Sequence, residues 1–153
     1  MSSADQPEPR IARAKPYSQG HNAGQAGHCL LYGSDTAGGH SLSVSVMTKG
    51  SEAPLHIHSC EDETFYVLRG ELDARVGDEH HRLAAGDAIF LPRGIKHRLL
   101  CVSDEAEVIM LITPPGLEHF FDAIDQQTSE GPADPAKMKE LAAEYGVEIL
   151  PEG

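Results

Sequence analysis

Tryptophan is missing from this chain and the other aromatics are few, with 4 Phe and 4 Tyr in 153 residues. A stacking platform for single-stranded nucleic acid needs more rings than that. Positive charge is also scarce: 12 Lys and Arg stand against 24 Asp and Glu, a formal net charge of −12. That balance lacks the clustered cations that grip a phosphate backbone. Cysteine is sparse and odd in number. Cys29, Cys60 and Cys101 show no paired spacing, which argues against a disulfide-stapled framework and for a reducing, cytoplasmic setting. No run approaches the roughly 18 apolar residues of a membrane span, and the polar stretch Met1 to Lys15 holds no apolar run suited to a signal peptide. Neither nucleic acid nor membrane is an expected partner. What the chain does have is 40% hydrophobic residues, enough for one core, and nine histidines. Histidine is the commonest metal-ligating side chain.

Three regions are expected. Residues 1–16 read as a flexible arm, with Pro7, Pro9 and Pro16 and almost no apolar surface. Residues 17–115 read as a barrel of short strands. Ser41 to Met47 alternates small polar with apolar residues, the period of a half-buried strand. Further short runs follow at 65–68, 72–76, 88–91, 97–102 and 108–112, punctuated by Gly, Pro or Asp at Gly50, Gly70, Gly77-Asp78, Gly86-Asp87 and Pro92 to Gly94. None of those gaps is long enough for a helix, so the strands should pair antiparallel in an all-β barrel. The segment Gly20 to Gly27 reads as loop, with no chemical role for His21 and His28. Residues 116–153 change period: Leu117, Phe120, Phe121 and Ile124 mark one helix face, and Asp134-Pro135 begins a second helix that Gly146 ends. Both should pack on the barrel.

The chemistry concentrates in two stretches. His56 and His58 are two apart, so on an extended strand both imidazoles leave from one face and converge on one ion. Glu61, Asp62 and Glu63 follow, and local physics does not choose which of them completes a mixed nitrogen and oxygen site. A second stretch supplies His97 directly after the turn Pro92-Arg93-Gly94. His80 and His81 adjoin the Gly77-Asp78 turn and should be exposed on a hairpin, while His40 precedes a strand and His119 sits on the first helix. Phe65 and Val67 share the parity of Glu63, and Leu99 and Cys101 share that of His97, so these four are the expected wall of an apolar substrate pocket.

The first stretch resembles the first motif of the cupin superfamily, G-x5-H-x-H-x3-4-E-x6-G, at Gly50, His56, His58, Glu63 and Gly70. The second resembles that family's second motif, G-x5-P-x-G-x2-H, at Gly86, Pro92, Gly94 and His97; where the family pattern continues to Asn, this chain has Cys101. The resemblance implies an antiparallel jelly-roll barrel and selects Glu63 as the carboxylate ligand beside His56, His58 and His97. It also implies one divalent transition metal ion per chain, iron first, with Mn, Ni, Cu or Zn also suited to three imidazoles and a carboxylate. Glu63 would double as a catalytic proton acceptor. Residues 61–71 and 115–121 are similar to small bacterial proteins of the quercetin 2,3-dioxygenase-like group. The activity implied is a dioxygenase taking a small hydrophobic enol or phenol together with O2. Its alternatives are a non-redox cyclase or isomerase for a polyketide-like carbonyl, and a non-catalytic ligand-binding cupin. A homodimer, with the N-terminal arm exchanged between copies, is the implied assembly.

Overall fold

A computed structural model describes residues 7–13, 18–22, 25–129, 131–132 and 134–152, with residues 18–22 and 25–26 described by backbone alone. Two antiparallel sheets face each other. The first is built from β1 (Ser18–Asn22), β2 (Gln25–Leu31), β3 (Ser41–Thr48), β5 (Asp62–Arg69), β8 (Ala88–Leu91) and β10 (Glu105–Thr113), in the order β1-β2-β3-β10-β5-β8. The second contains β4 (Glu52–His58), β6 (Glu71–Val76), β7 (Glu79–Ala84), β9 (His97–Cys101) and β11 (Val147–Ile149), in the order β11-β4-β9-β6-β7. From β3 onward chain neighbours alternate between sheets, apart from the β6–β7 hairpin: β4 and β5 are joined by three residues yet belong to opposite walls. This is the jelly-roll arrangement.

Alternation of side chains produces the shared core. Burial along β10 switches at every residue, with Ala106, Val108, Met110 and Ile112 inward, and β9 does the same with His97, Leu99 and Cys101. Gly70, at the β5–β6 turn, has φ +80°, and a Cβ there would lie 2.2 Å from the Glu105 carbonyl oxygen. Only glycine fits that corner.

Two helices follow the barrel, α1 (Leu117–Thr128) and α2 (Pro135–Glu144). The Asp134 carboxylate caps α2 by accepting from the Ala136 N–H at 3.0 Å, with Pro135 at the first helical position. Leu117, Phe120 and Ile124 of α1 are buried against the barrel. After α2 the chain returns as β11, which pairs with β4 in the register Val147↔His58 and Ile149↔His56. The last segment is therefore part of a sheet as well as a cap on it.

One expectation is corrected. Residues 20–22 and 25–27 are strand and not loop: β1 and β2 form the edge of the six-stranded sheet, and residues 23–24 lie outside the described residues. Their small polar residues carry no apolar alternation to announce a strand. Gly27 instead permits close backbone approach, since a Cβ there would lie 2.3 Å from the Val44 carbonyl oxygen. Of the expected arm, residues 1–6 and 14–16 lie outside the described residues, and 7–13 are exposed without regular structure. No helix among the described residues is long and apolar enough to cross a membrane.

Candidate metal centre

Four side chains from three strands meet inside the barrel. His56 and His58 project from β4, and His97 on β9 lies directly opposite His56 in the antiparallel register. Glu63 comes from β5 in the other sheet, so the site joins the two walls. A register shift in β4 between Ala53 and His56 spans Pro54, as expected for proline confined to an irregularity in a strand. The turn before His97 is anchored at both ends of the β4–β5 connection: the Gly94 N–H donates to the His58 carbonyl at 2.8 Å, and the Asp62 carboxylate accepts from the Arg93 backbone N–H at 2.9 Å and side chain at 3.1 Å. Those bonds fix where β9 begins and hence where His97 points.

The donor atoms are close. His56 Nε2 lies 3.0 Å from His58 Nε2, and Glu63 Oε2 lies 3.2 Å from His58 Nε2 and 3.0 Å from His97 Nε2. One ligand atom from each residue lies within 4.8 Å of all the others, and no other such group occurs among the described residues. His58, Glu63 and His97 are buried and His56 is half-buried. The outer ring nitrogens are directed elsewhere, His56 Nδ1 to the Pro54 carbonyl at 2.5 Å and His97 Nδ1 to the Ile95 carbonyl at 3.4 Å. An imidazole that donates through Nδ1 presents a lone pair at Nε2. Glu63 Oε2, also an acceptor, is buried without an aligned hydrogen bond.

Electrostatics describe the same crowding. Burial, reinforced by the His97 and His58 rings, pushes His56 down to about 4. Burial also works against charge on His58, but Glu61 and Glu63 outweigh it and raise His58 above the usual imidazole range. Glu63 is disfavoured as an anion by burial and held below the usual carboxylate range by His58 and His97. Convergent ring nitrogens and a buried carboxylate fit a cation. Two donors each about 2.1 Å from one ion stand about 3.0 Å apart at right angles and about 3.4 Å apart at the tetrahedral angle, which brackets the three contacts of 3.0–3.2 Å.

The cluster opens on a cavity of about 360 Å³, within the range of small-molecule sites. Met47, Phe65, Leu99, Val108 and Met110 form its apolar wall, and Phe120 and Ile124 of α1 line it as well. Phe65 and Leu99 are therefore where their parity placed them. Val67 and Cys101 are not, and the expectation that they line the pocket is corrected: both are fully buried core residues outside the lining. Parity was right, but four residues along a strand carry them about 13 Å from Glu63 and His97, against about 7 Å for Phe65 and Leu99. Cys101 Sγ lies instead 3.5 Å from the Met47 carbonyl oxygen and 3.4 Å from that of Ser103.

Several lining residues had no signal in the sequence. His28, read as without a role, lines the cavity, as do Glu118, Asp122 and Asp125 of α1. The Tyr32 hydroxyl donates to Asp122 at 3.1 Å. His119 is exposed beside the Tyr32 ring and does not reach the lining, and His80 and His81 are exposed on β7 beside Asp73 and Glu79. Glu61 was passed over in favour of Glu63, yet it is buried with Oε2 3.5 Å from His58 Nδ1. Asp62, by contrast, is tied to Arg93 near the surface.

Residues 43–114 match the cupin-domain family Cupin_2. The chain is 28% identical to tetracenomycin polyketide synthase protein TcmJ of Streptomyces glaucescens, over 57% of this chain and 59% of that protein. It is 28% identical to polyketide synthase CurC of Streptomyces cyaneus, over 51% of this chain and 54% of that protein. The match thus spans little more than half the length of these curated relatives. Among solved structures, KdgF from Halomonas sp. shares the fold with a TM-score of 0.60 at 20% identity, covering 67% of this chain and 88% of that one. The two-sheet topology, both motifs converging on one cluster, and the match over residues 43–114 identify that span as a cupin domain.

Proposed function

We propose that this chain is a metal-dependent dioxygenase acting on a small, mostly apolar enol or phenol of the polyketide type. The observation that carries this reading is the placement of three inward imidazole ring nitrogens and one buried carboxylate on the wall of an apolar cavity. His56, His58, Glu63 and His97 would hold a divalent ion such as iron, which when bound supplies Lewis acidity and the redox capacity that O2 chemistry requires. Met47, Phe65, Leu99, Val108 and Met110 hold the carbon frame and exclude water, which strengthens electrostatic interactions inside. Glu63 accepts the hydroxyl proton of the enol or phenol at a carboxylate oxygen.

The relatives named for polyketide synthesis favour a second reading on the same residues, a non-redox cyclase or isomerase of a polyketide-like carbonyl. Anaerobic reconstitution with Fe(II), followed by O2 uptake against flavonols, enols and diketones, separates them. Uptake coupled to loss of one substrate class is expected. Background uptake throughout would defeat the dioxygenase, and turnover with Zn(II) in the absence of O2 would identify the second reading. A ligand that co-purifies and is recovered unchanged would mark a binding protein instead. For the assembly we propose a homodimer, supported by Tyr66, Leu68 and Phe90 exposed on β5 and the edge strand β8. Light scattering that reports a monomer at micromolar concentration would contradict it.

A further inference from the structure

We propose that Glu61 is a positioning residue of the metal centre: its carboxylate holds His58 through Nδ1, strengthens it as a ligand, and brings the loaded centre to formal neutrality. This rests on the metal reading above. The three histidines are oriented by two different devices. His56 and His97 each turn Nδ1 toward the backbone carbonyl two residues earlier, Pro54 and Ile95. His58 does not. Its Nδ1 faces Glu61 Oε2 at 3.5 Å, and neither atom has a hydrogen-bond partner elsewhere although both are buried.

Burying a carboxylate without compensation is costly, and Glu61 is only 6% exposed. The neighbouring Asp62 shows the ordinary solution, pairing with Arg93 near the surface. Glu61 instead sits behind His58, whose other side faces Glu63. A distance of 3.5 Å is a small side-chain adjustment from a charge-assisted hydrogen bond of about 2.7–2.9 Å. With a divalent ion bound by neutral imidazoles, the formal charges of the ion, Glu63 and Glu61 sum to zero, whereas Glu63 alone leaves an excess of one positive charge. A carboxylate on the outer nitrogen fixes the tautomer and raises the basicity of the inner one, and loss of such a partner lowers metal affinity about 10–100-fold. Two carbonyl-oriented ligands and one carboxylate-oriented ligand make His58 the strongest imidazole donor of the set.

The test compares full-length wild type and Glu61→Gln for Zn(II) and Co(II) affinity by competition with a chromophoric chelator. Glu79→Gln, on the exposed hairpin, is the control. Glu61→Gln should bind both ions about 10–100-fold more weakly, with a shifted Co(II) visible spectrum and metal-free thermal unfolding like that of wild type. In zinc-loaded wild type, nitrogen-edited NMR should show a His58 Nδ1 proton further downfield than those of His56 and His97, a readout that needs no variant to fold. Affinity within about twofold of wild type together with an unchanged Co(II) spectrum would overturn the role of Glu61 and leave the metal reading standing. A His58 ring protonated at neither nitrogen or only at Nε2 would overturn it equally. Failure of wild type to bind either ion would overturn the metal reading, and this inference with it.

Discussion

Glu63 and Glu118 are both buried, at 3% and 1% exposure, and they are buried for opposite reasons. Glu118, in the first turn of α1, is satisfied by the backbone: the Gly33 N–H donates to Oε1 at 2.9 Å and the Gly116 N–H to Oε2 at 2.6 Å. Those donors outweigh burial and hold its carboxyl below the usual carboxylate range. The contacts tie the start of the helix to the turn after β2. Glu63 faces His58 and His97, whose outer nitrogens are directed to the Glu61 carboxylate and the Ile95 carbonyl, and Oε2 makes no aligned hydrogen bond. A carboxylate closed by donors is a fastening. A carboxylate ringed by other acceptors is an incomplete coordination shell, and burial alone does not distinguish the two.

Exchanging the charge at each position should separate these roles. Glu63→Gln removes a ligand, and metal affinity measured by chelator competition should fall by at least about 100-fold, more than loss of an outer partner costs. Unfolding of the metal-free variant should match wild type closely. Glu118→Ala should do the reverse. It strands two half-buried N–H groups, which costs about 3 kcal/mol, or a melting temperature about 6–12 °C lower for a chain of this size. Calorimetry checks that loss, and metal affinity of the folded variant should stay close to that of wild type. Loss of metal binding in Glu118→Ala at temperatures where it is folded would collapse the distinction.

A smaller effect concerns the ion itself. Zn(II) at about 100 times its dissociation constant should stabilise the wild type by about 2.7 kcal/mol, reversibly on chelation, and should leave Glu63→Gln at the same concentration almost unmoved. The smallest is a pH dependence. Because the native Glu118 carboxyl titrates below its unfolded value of about 4.3, its contribution is complete above that pH and is lost as pH falls toward the native value. Chemical denaturation between about pH 5 and pH 3 should therefore lose stability less steeply in Glu118→Gln than in wild type.

The contrast also explains what could be read before the structure. His56 and His58 were legible through strand parity, which acts over short distances, and His97 through the Pro92–Gly94 turn that sets the next strand; Glu63 was separated from Glu61 and Asp62 only by the resemblance to the cupin motif. The strands of the barrel were legible for the same reason, through alternation and punctuation, and the second helix through its Asp134-Pro135 start. Glu118 was not legible: its partners Gly33 and Gly116 are brought to it by tertiary packing, and its neighbours read only as an amphipathic helix. Glu61 shared its run with two other acids, and only the turn geometry sends it inward while Asp62 meets Arg93. Val67 and Cys101 show the limit of parity, which gives the face of a strand but not the depth at which a residue meets a cavity. β1 and β2 show the limit of alternation, because a sheet edge built from small residues owes its pairing to backbone access.

The central claim is that His56, His58, Glu63 and His97 form one coordination shell. Titration calorimetry of Zn(II) into metal-free wild type and His97→Ala tests it most directly. One ion per chain in wild type, with binding lost or weakened by at least about 100-fold in His97→Ala, is the predicted result; equal binding by the two proteins would contradict it.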